Sequence, residues 1–435
     1  MKSKVFFLTA GFLVILLVIL ACGPVSTPSP ASPPAGPAAS TTDTLTPAQA
    51  APAMTDTPTD TEQPPLPTTG PGAPQPASPA HFSHGSVIPL TQIRMVSAID
   101  GWGLVGQYVV VTSDGGLTWK EVMPPQAFTD ITRAKASAQF LDDQHAWVLF
   151  SENDQIPHEA VVWSTSDRGQ TWTSSAPLMH QLEAEHLWGE FASNGTQAGW
   201  LLLRGMYKAA GTHYVAQLFQ TTDGGLNWTD QQPSLDLGND FTSLAFVNAQ
   251  AGWLAWQTTD NYGPGAPAYA TTSDGGLIWN PLELPAPVDA PGLFTDYDNA
   301  EPYQVNLLSP TSIRLLVGAF TYEHPPKKFV SYLYSTEDGG TTWTMKVLPA
   351  RVLAPNYTLI FFDGNTGLLL GQDSYSTVDG GKTWQHVSAV FWDGQYSFVD
   401  AQNGWAIATI GTQSSLVSTT NGGRTWNSLK PVIAP

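Results

Sequence analysis

The sequence predicts an all-β chain: a seven-bladed β-propeller of four-stranded antiparallel blades, preceded by a signal peptide and a disordered linker. Three observations predict this fold class. One octapeptide recurs seven times, an apolar strand with a Gly-Trp pair precedes most copies, and helical periodicity is nearly absent. An internal repeat whose units each read as four short strands is typical of a propeller.

The octapeptide follows the pattern Thr-x-Asp-x-Gly-x-x-Trp, as in TSDGGLTW, and the last copy has Asn in place of Asp. The Asp or Asn side chain can accept hydrogen bonds from nearby backbone N–H groups and close a turn, and Gly adopts positive φ without steric cost. The final Trp begins the returning strand and buries a large apolar surface. We therefore interpret these octapeptides as structural hairpin turns. Their Asp or Asn positions are Asp114, Asp167, Asp223, Asp274, Asp338, Asp379 and Asn421.

Each repeat unit reads as four strands. The strands of the first unit are predicted at Gln92–Ala98, Trp102–Gln107, Tyr108–Ser113 and Leu117–Val122. The fifth unit has no clear Gly-Trp pair, and Ile313 to Val317 takes its place.

The end of the chain bears on how the ring closes. The seventh unit ends soon after its octapeptide, so we expect it to supply its own fourth strand. The segment Gly85–Leu90 is an alternative source of a clasping strand.

The octapeptides resemble the Asp-box, or BNR repeat, and the Gly-Trp element is similar to that of the photosystem II assembly-factor-like family. The resemblance covers about residues 85–435. It implies a propeller, and it implies a role in the assembly of a membrane complex. Asp-boxes also occur in sialidases, other glycoside hydrolases and sorting receptors, so the box alone does not select a function. Below, each octapeptide is called a box.

The first residues read as a targeting segment. Lys2 and Lys4 precede an apolar run from Val5 to Leu20, and the next residues resemble a bacterial lipobox that ends at Cys22, the single cysteine of the chain. We expect residues 1–21 to be a lipoprotein signal peptide and Cys22 to carry the lipid. Residues 22–84 hold sixteen prolines among small residues and are predicted to be a disordered tether. The predicted location is the outer face of the cell membrane.

The formal net charge is −19. This balance argues against nucleic acid as a partner and against adhesion to anionic headgroups, so the lipid anchor would be the only contact with the membrane. The expected partner is a protein or a polysaccharide of the cell envelope, and we expect a monomer without cofactor or metal. Three carboxylates between Asp296 and Glu301 lack the glycine and spacing of an EF-hand and are interpreted as an exposed acidic loop.

Strand order predicts where a ligand would bind. The first-to-second and third-to-fourth turns of every blade share one face, which carries the boxes. The second-to-third loops and the crossings between blades share the other. The long insertions all belong to this second face, and variable loops on a rigid scaffold are where binding usually resides. They are Ser151–Ala160, Gly205–Tyr214, Gln257–Ala268, Thr321–Phe329, Leu178–Glu190, Glu283–Tyr303 and Leu348–Tyr357.

Aromatic side chains in or beside these insertions are candidate ligand contacts, although large aromatics are also well suited to packing their own loops. The candidates are Trp188, Trp392, Tyr262, Tyr297 and Tyr303, with Phe391 beside them.

The resemblance to sialidases implies an arginine triad, for which Arg94, Arg204 and Arg314 are the candidates. The Arg-Ile-Pro element of those enzymes is not present, because Met95 follows Arg94. Other glycosidases need only two nearby carboxylates, and an acidic chain offers several. They are Asp142, Asp143, Glu183, Glu185, Glu190, Asp296, Asp298, Glu301 and Asp393.

No catalytic residue is therefore assigned. The sequence favours a non-catalytic binding or scaffold module, and the alternative is an extracellular glycoside hydrolase. Two carboxylates about 5–10 Å apart in an aromatic-floored cleft would favour hydrolysis.

Overall fold

A computed structural model describes residues 70–125, 134–152, 159–179, 186–207, 213–233, 240–257, 268–282, 284–286, 288, 291, 299–320 and 329–435. The signal peptide, Cys22 and most of the predicted tether lie outside this set. Within it, no helix has the length and apolar character needed to cross a membrane.

The described strands form seven four-stranded antiparallel sheets, which confirms the predicted propeller. The sheets are called blades 1 to 7, and the strands of each run in sequence order from the inner to the outer edge. Blade 1 comprises Gln92–Met95, Gly101–Val105, Tyr108–Thr112 and Thr118–Glu121. Blade 2 comprises Ala134–Phe140, Ala146–Glu152, Val162–Thr165 and Thr171–Ser174. Blade 3 comprises His186–Asn194, Ala198–Tyr207, His213–Thr221 and Thr229–Asp230.

The remaining blades follow the same order. Blade 4 comprises Asp240–Phe246, Gly252–Gln257, Ala268–Thr272 and Asn280–Leu282. Blade 5 comprises Asn299–Leu307, Ile313–Phe320, Phe329–Thr336 and Thr344–Val347. Blade 6 comprises Thr358–Phe361, Gly367–Leu370, Asp373–Thr377 and Gln385–Ala389. Blade 7 comprises Asp393–Phe398, Gly404–Ile410, Gln413–Thr419 and Asn427–Ser428.

Five short elements lie outside the blades. They are the strands Gln75–Pro76 and Val432–Ile433, the paired strands Glu159–Ala160 and Leu178–Met179, and the 3₁₀ turn Ala354–Asn356.

The pattern of apolar residues shows which strands of a blade are buried. The second and third strands of blade 1, Gly101–Val105 and Tyr108–Thr112, are buried at every position. Its outer strand alternates, with Trp119 buried and Lys120 exposed. Strands packed on both faces read as continuous apolar runs, whereas an edge strand alternates. The core therefore lies between neighbouring blades.

The tryptophan near the start of the second strand links each of four blades to the next. Gly precedes it in three of them, and in blade 2 Trp147 follows Ala146 and donates its indole N–H to the Gly224 carbonyl at 2.8 Å. The indole N–H of Trp102 donates to the Asp142 carbonyl at 2.7 Å, and that of Trp200 donates to the Gly275 carbonyl at 2.8 Å. Trp405 of blade 7 donates to the Gly115 carbonyl of blade 1 at 2.8 Å, across the seam of the ring. These tryptophans satisfy carbonyl groups of the adjacent turns while filling the space between blades.

Polar side chains link the inner strands. The Ser397 hydroxyl accepts the N–H of Met95 at 2.8 Å, and the Gln304 side-chain oxygen accepts the N–H of Leu359 at 2.8 Å. An inner strand has one unpaired edge, and a donor there needs a partner. Polar side chains on the neighbouring inner strands supply this partner.

The ring closes through an additional contact at the C-terminus. Blade 7 supplies its own four strands, as predicted, and Val432–Ile433 then pairs in parallel with Thr118 and Trp119 of blade 1. The N–H of Ile433 donates to the Ser86 carbonyl at 2.9 Å. Residues 85–88 and 431–434, called the clasp below, therefore hold the C-terminus and the segment that precedes blade 1 against the outer edge of that blade. The proposed clasping segment pairs with the C-terminal strand and adds no strand to blade 7.

Part of the stretch predicted as tether belongs to the sheet of blade 2. Gln75–Pro76 pairs with Thr171 and Trp172 of its outer strand, and the N–H of Gly72 donates to the Ser174 carbonyl at 2.9 Å. These are backbone bonds, so they do not depend on apolar side chains. A composition dominated by proline and small residues could not have predicted them.

Candidate functional site

The boxes lie on the same face as the turns between first and second strands, as strand order predicts. In every blade the residue directly after the box Asp or Asn donates its N–H to a carbonyl of the turn between the first and second strands. In blade 1, Gly115 donates to the Ile99 carbonyl at 2.9 Å. The other six pairs are Arg168 to Gln144, Gly224 to Gln197, Gly275 to Gln250, Gly339 to Thr311, Gly380 to Asn365 and Gly422 to Gln402. This face is called the box face, and the opposite one the loop face.

Each box aspartate closes its own turn. In blade 6, Asp379 Oδ1 accepts the Thr383 N–H at 2.9 Å and the Thr377 hydroxyl at 2.8 Å, while Oδ2 accepts the Thr383 hydroxyl at 2.6 Å. The Thr377 hydroxyl oxygen in turn accepts the N–H of Gly381, whose φ is +84°. The two bonds to Oδ1 recur in the other boxes, with Asn421 accepting the Thr425 N–H at 3.0 Å. The bond to the second oxygen varies, because blade 4 has Ile278 at the position of Thr383. These carboxylates have a structural role.

Acid is expected to destabilise the propeller through these carboxylates. Hydrogen bonds from the hydroxyl and then the N–H of Thr383 lower the pKa of Asp379 to about 2, and Thr342 does the same for Asp338. A group with a lowered folded pKa stabilises fully above its unfolded pKa of about 3.9, and that contribution disappears as the pH falls toward 2. Thermal unfolding followed from pH 5 to pH 2 should show this loss. Asp379→Asn, for which Asn421 is the native precedent, should flatten the profile, and an unchanged slope would contradict this role.

Two of the predicted aromatic and arginine candidates meet in blade 3. Trp188 lies opposite Arg204 on the paired inner strands, and the guanidinium carbon is 5.3 Å from the indole centroid. Arg204 Nη1 lies 2.7 Å from Glu190 Oε1, and the arginine side chain is buried. Cation–π contact and ion pairing together hold the three side chains as one packed group. Glu190 is thus neutralised by Arg204.

Two further candidates are packed within the ring. Trp392 is buried and lies edge-on to Trp426 of blade 7, with ring centroids 5.6 Å apart. The Tyr303 hydroxyl donates to Glu301 Oε2 at 2.6 Å. The prediction that Trp392 is a surface contact for a ligand was wrong, because the indole fills the core of its own blade. Tyr262 and Tyr297 lie outside the described residues.

The predicted arginine triad is not formed. Arg314 is buried at the box face, where Nη2 contacts Glu337 Oε1 at 2.6 Å and Nη1 donates to the Thr336 carbonyl at 3.3 Å. Arg204 is held by Glu190 in blade 3, and Arg94 is an exposed residue of the inner strand of blade 1. Arg314, a candidate for the triad, therefore has a different contact: its guanidinium braces the box of blade 5.

The described carboxylates that were candidates for hydrolysis have other contacts. Asp142 accepts the N–H groups of Gln144 and His145 at 2.8 and 2.7 Å, within a turn of the box face. Glu183, Glu185, Asp296 and Asp298 lie outside the described residues. Among the residues that the structure describes, no group of three potential metal ligands is found.

The loop face of blade 6 carries a cluster of four polar side chains that the sequence did not predict. Asp373 Oδ2 lies 3.3 Å from Arg351 Nη1, and Asp373 Oδ1 lies 3.2 Å from His386 Nε2. The Tyr357 hydroxyl accepts the Asp373 N–H at 3.4 Å, and burial raises the pKa of this tyrosine. Arg351, Tyr357, Asp373 and His386 are called the blade 6 cluster. The Asp373 side chain is 15% exposed, whereas that of Arg351 is 76% exposed, so the arginine remains accessible.

Phe391 lies in the crossing between blades 6 and 7, two residues after Ala389, which pairs with Asp373 of this cluster. The crossing is fixed on both sides of it, because the Val390 N–H donates to the Gln372 carbonyl at 2.7 Å and the Gln372 amide donates to Asp393 at 3.1 Å. The Phe391 residue itself is 79% exposed. The structure therefore presents a large apolar side chain on an anchored loop, on the same face as an accessible guanidinium.

The propeller is similar to several solved structures. A structure of YCF48 bound to a D1 peptide matches with a TM-score of 0.50 and 16% identity, over 80% of this chain and 99% of that one. The chain shares the propeller fold of YCF48. YCF48 from Cyanidioschyzon merolae matches with a TM-score of 0.46 and 17% identity, over 80% of this chain and 99% of that one. An α-L-arabinofuranosidase from Fusarium graminearum matches with a TM-score of 0.41 and 10% identity, over 70% of this chain and 94% of that one.

No family model matches the sequence, and no curated protein matches it. The similarity to YCF48 shows the fold. The resemblance noted from the boxes and the Gly-Trp elements is thus confirmed at the level of architecture, and function has to be argued from the site.

Proposed function

We propose that this chain is a non-catalytic binding module that takes up a segment of a partner protein at the loop face of blades 6 and 7. The observation that carries the proposal is the exposure of Phe391 on an anchored crossing, on the same face of blade 6 as the accessible guanidinium of Arg351. Aromatic and arginine side chains are enriched in protein interfaces and their hot spots. The YCF48 structure with a D1 peptide supports it as a precedent on the same fold.

The chemistry of the surface specifies the partner. Burial of a phenylalanine side chain contributes about 2 kcal/mol, which favours a partner with an apolar side chain at the contact. Asp373, which also contacts His386, pairs with Arg351 on one side, so the remaining donors of the guanidinium suit a carboxylate or carbonyl of the partner. A peptide segment supplies both features.

The proposed location of the protein is the outer face of the cell membrane. Cys22 would carry a lipid at the outer face of the membrane, and the proline-rich stretch after it would give the propeller reach. The partner would then be a protein of the cell envelope. The alternative function is a glycoside hydrolase. In the described part of the chain two of its candidate carboxylates are engaged, since Glu190 is paired with Arg204 and Glu301 accepts the Tyr303 hydroxyl.

Phe391→Ala is expected to reduce recovery of the partner at least about tenfold when the tagged full chain is purified from native membranes, given a loss of about 1.4 kcal/mol or more. The matched control is Val378→Ala, because Val378 is 76% exposed on the box face. Quantitative mass spectrometry of the two preparations gives the comparison. Equal recovery with both variants would show that the loop-face contact is not the binding site.

A further inference from the structure

A cleft lies on the box face between blades 5 and 6. Its volume is about 530 Å³, within the range that holds a small ligand. Thr344 and Lys346 on the outer strand of blade 5 line it from one side, and Lys382 in the box of blade 6 from the other. The equivalent cleft between blades 1 and 2 has a volume of about 280 Å³.

Three cations line this cleft in a chain whose net charge is −19. Arg314 is fixed, because its guanidinium contacts Glu337 Oε1 at 2.6 Å and the Gly364 carbonyl at 3.3 Å. Among the described residues, the ammonium groups of Lys346 and Lys382 form no ion pair within 4 Å and no hydrogen bond. Both lysines are therefore available to a ligand.

Three carboxylates also line the cleft, and two of them are turned toward their own boxes. The oxygens of Asp338 and Asp379 accept hydrogen bonds from Thr342 and Thr383 respectively. The third, Glu337, is paired with Arg314 but is 67% exposed. The cleft thus offers two free cationic donors together with an accessible carboxylate and several hydroxyl groups. A ligand that fits must carry an anion for the lysines and neutral donors for the oxygens.

We propose that this cleft binds a short oligosaccharide that contains uronic acid residues. The sugar carboxylates would pair with Lys346 and Lys382. The ring hydroxyls would donate to Glu337 and to the hydroxyl oxygens of Thr342 and Thr344, whose own hydrogens are donated to Asp338 and to the Ser335 carbonyl. Inorganic phosphate has its charge and its one or two hydroxyl groups on a single centre, so it offers fewer donors to these oxygens than a sugar chain does. This site is separate from the proposed protein-binding site on the loop face.

Isothermal titration of the full chain with trigalacturonate tests this proposal, with maltotriose and inorganic phosphate as comparison probes. Trigalacturonate is expected to bind, with an affinity that falls as salt is raised. The double substitution Lys346→Gln with Lys382→Gln should weaken binding at least tenfold. Gln170 occupies the position of Lys382 in the box of blade 2, so the fold tolerates glutamine there.

The matched control is Lys120→Gln, because Lys120 lines the smaller cleft between blades 1 and 2. It should leave binding of trigalacturonate unchanged, and so should Phe391→Ala, which tests the other site. The proposal is overturned if trigalacturonate does not bind, if the double variant binds as well as the parent, or if phosphate binds as tightly through the same lysines. None of these results bears on the protein partner of the loop face.

Discussion

Removal of residues 431–435 is expected to lower the free energy of unfolding by at least about 3 kcal/mol. Ile433 is buried, and replacing a buried isoleucine by alanine alone costs about 2–5 kcal/mol. The truncation also removes backbone bonds, among them Val432 N–H to Leu117 and Ala434 N–H to Trp119, at 3.1 and 2.8 Å. The outer edge of blade 1 would lose its covering strand, and residues 85–88 would lose their partner.

Urea unfolding followed by tryptophan fluorescence measures this change. Ile433→Ala separates the side chain from the backbone and should account for most of the loss. Ile410→Ala is the matched control, since Ile410 is 53% exposed, and it should change stability by less than about 0.5 kcal/mol. If the truncated chain unfolds at the parent's urea concentration, the clasp does not hold the ring.

The second large effect is expected at Trp200. Its indole is fully buried, stacks on Phe246 of blade 4 with ring centroids 3.5 Å apart, and donates to the Gly275 carbonyl. Trp200→Ala should cost about 3–5 kcal/mol, because it leaves a cavity between blades 3 and 4. Trp200→Phe keeps an aromatic ring but leaves the carbonyl unpaired, which should cost about 1–3 kcal/mol.

Equilibrium unfolding of both variants gives the two values. Phe391→Ala is the control for loss of an aromatic ring, since that residue is exposed and should leave stability nearly unchanged. Equal stability of Trp200→Phe and the parent would show that the indole N–H contributes nothing to the link between blades. A small effect of Trp200→Ala would contradict the packing described here.

The repeat determined most of what sequence could predict about the fold. Each unit carries its own turn residues and its own apolar strands, so the pattern predicts a blade from local information. The fifth unit shows this well, because Ile313–Phe320 forms its second strand without the Gly-Trp pair. The clasp and the pairing of Gln75–Pro76 were not predicted, since both are backbone contacts between segments distant in sequence.

The candidate site was harder to predict for a related reason. Arg351 belongs to a crossing, Asp373 begins a third strand and His386 lies on an outer strand, so no local motif contains them. Conversely, Trp392 lies in a crossing yet packs on Trp426, because an aromatic there can turn back into its blade. Position outside the repeat predicts the face to which a loop belongs, but it does not separate buried from exposed side chains.

The central claim is that a partner binds the loop face while the boxes of the opposite face act as scaffold. Photo-crosslinking tests this most directly, with a photoreactive amino acid placed at position 391 on the loop face or at position 378 on the box face of the full chain in native membranes. We expect a discrete protein adduct from position 391 and none from position 378, because the two sites differ in face but are similarly exposed. A protein adduct from position 378 with none from position 391 would contradict the account.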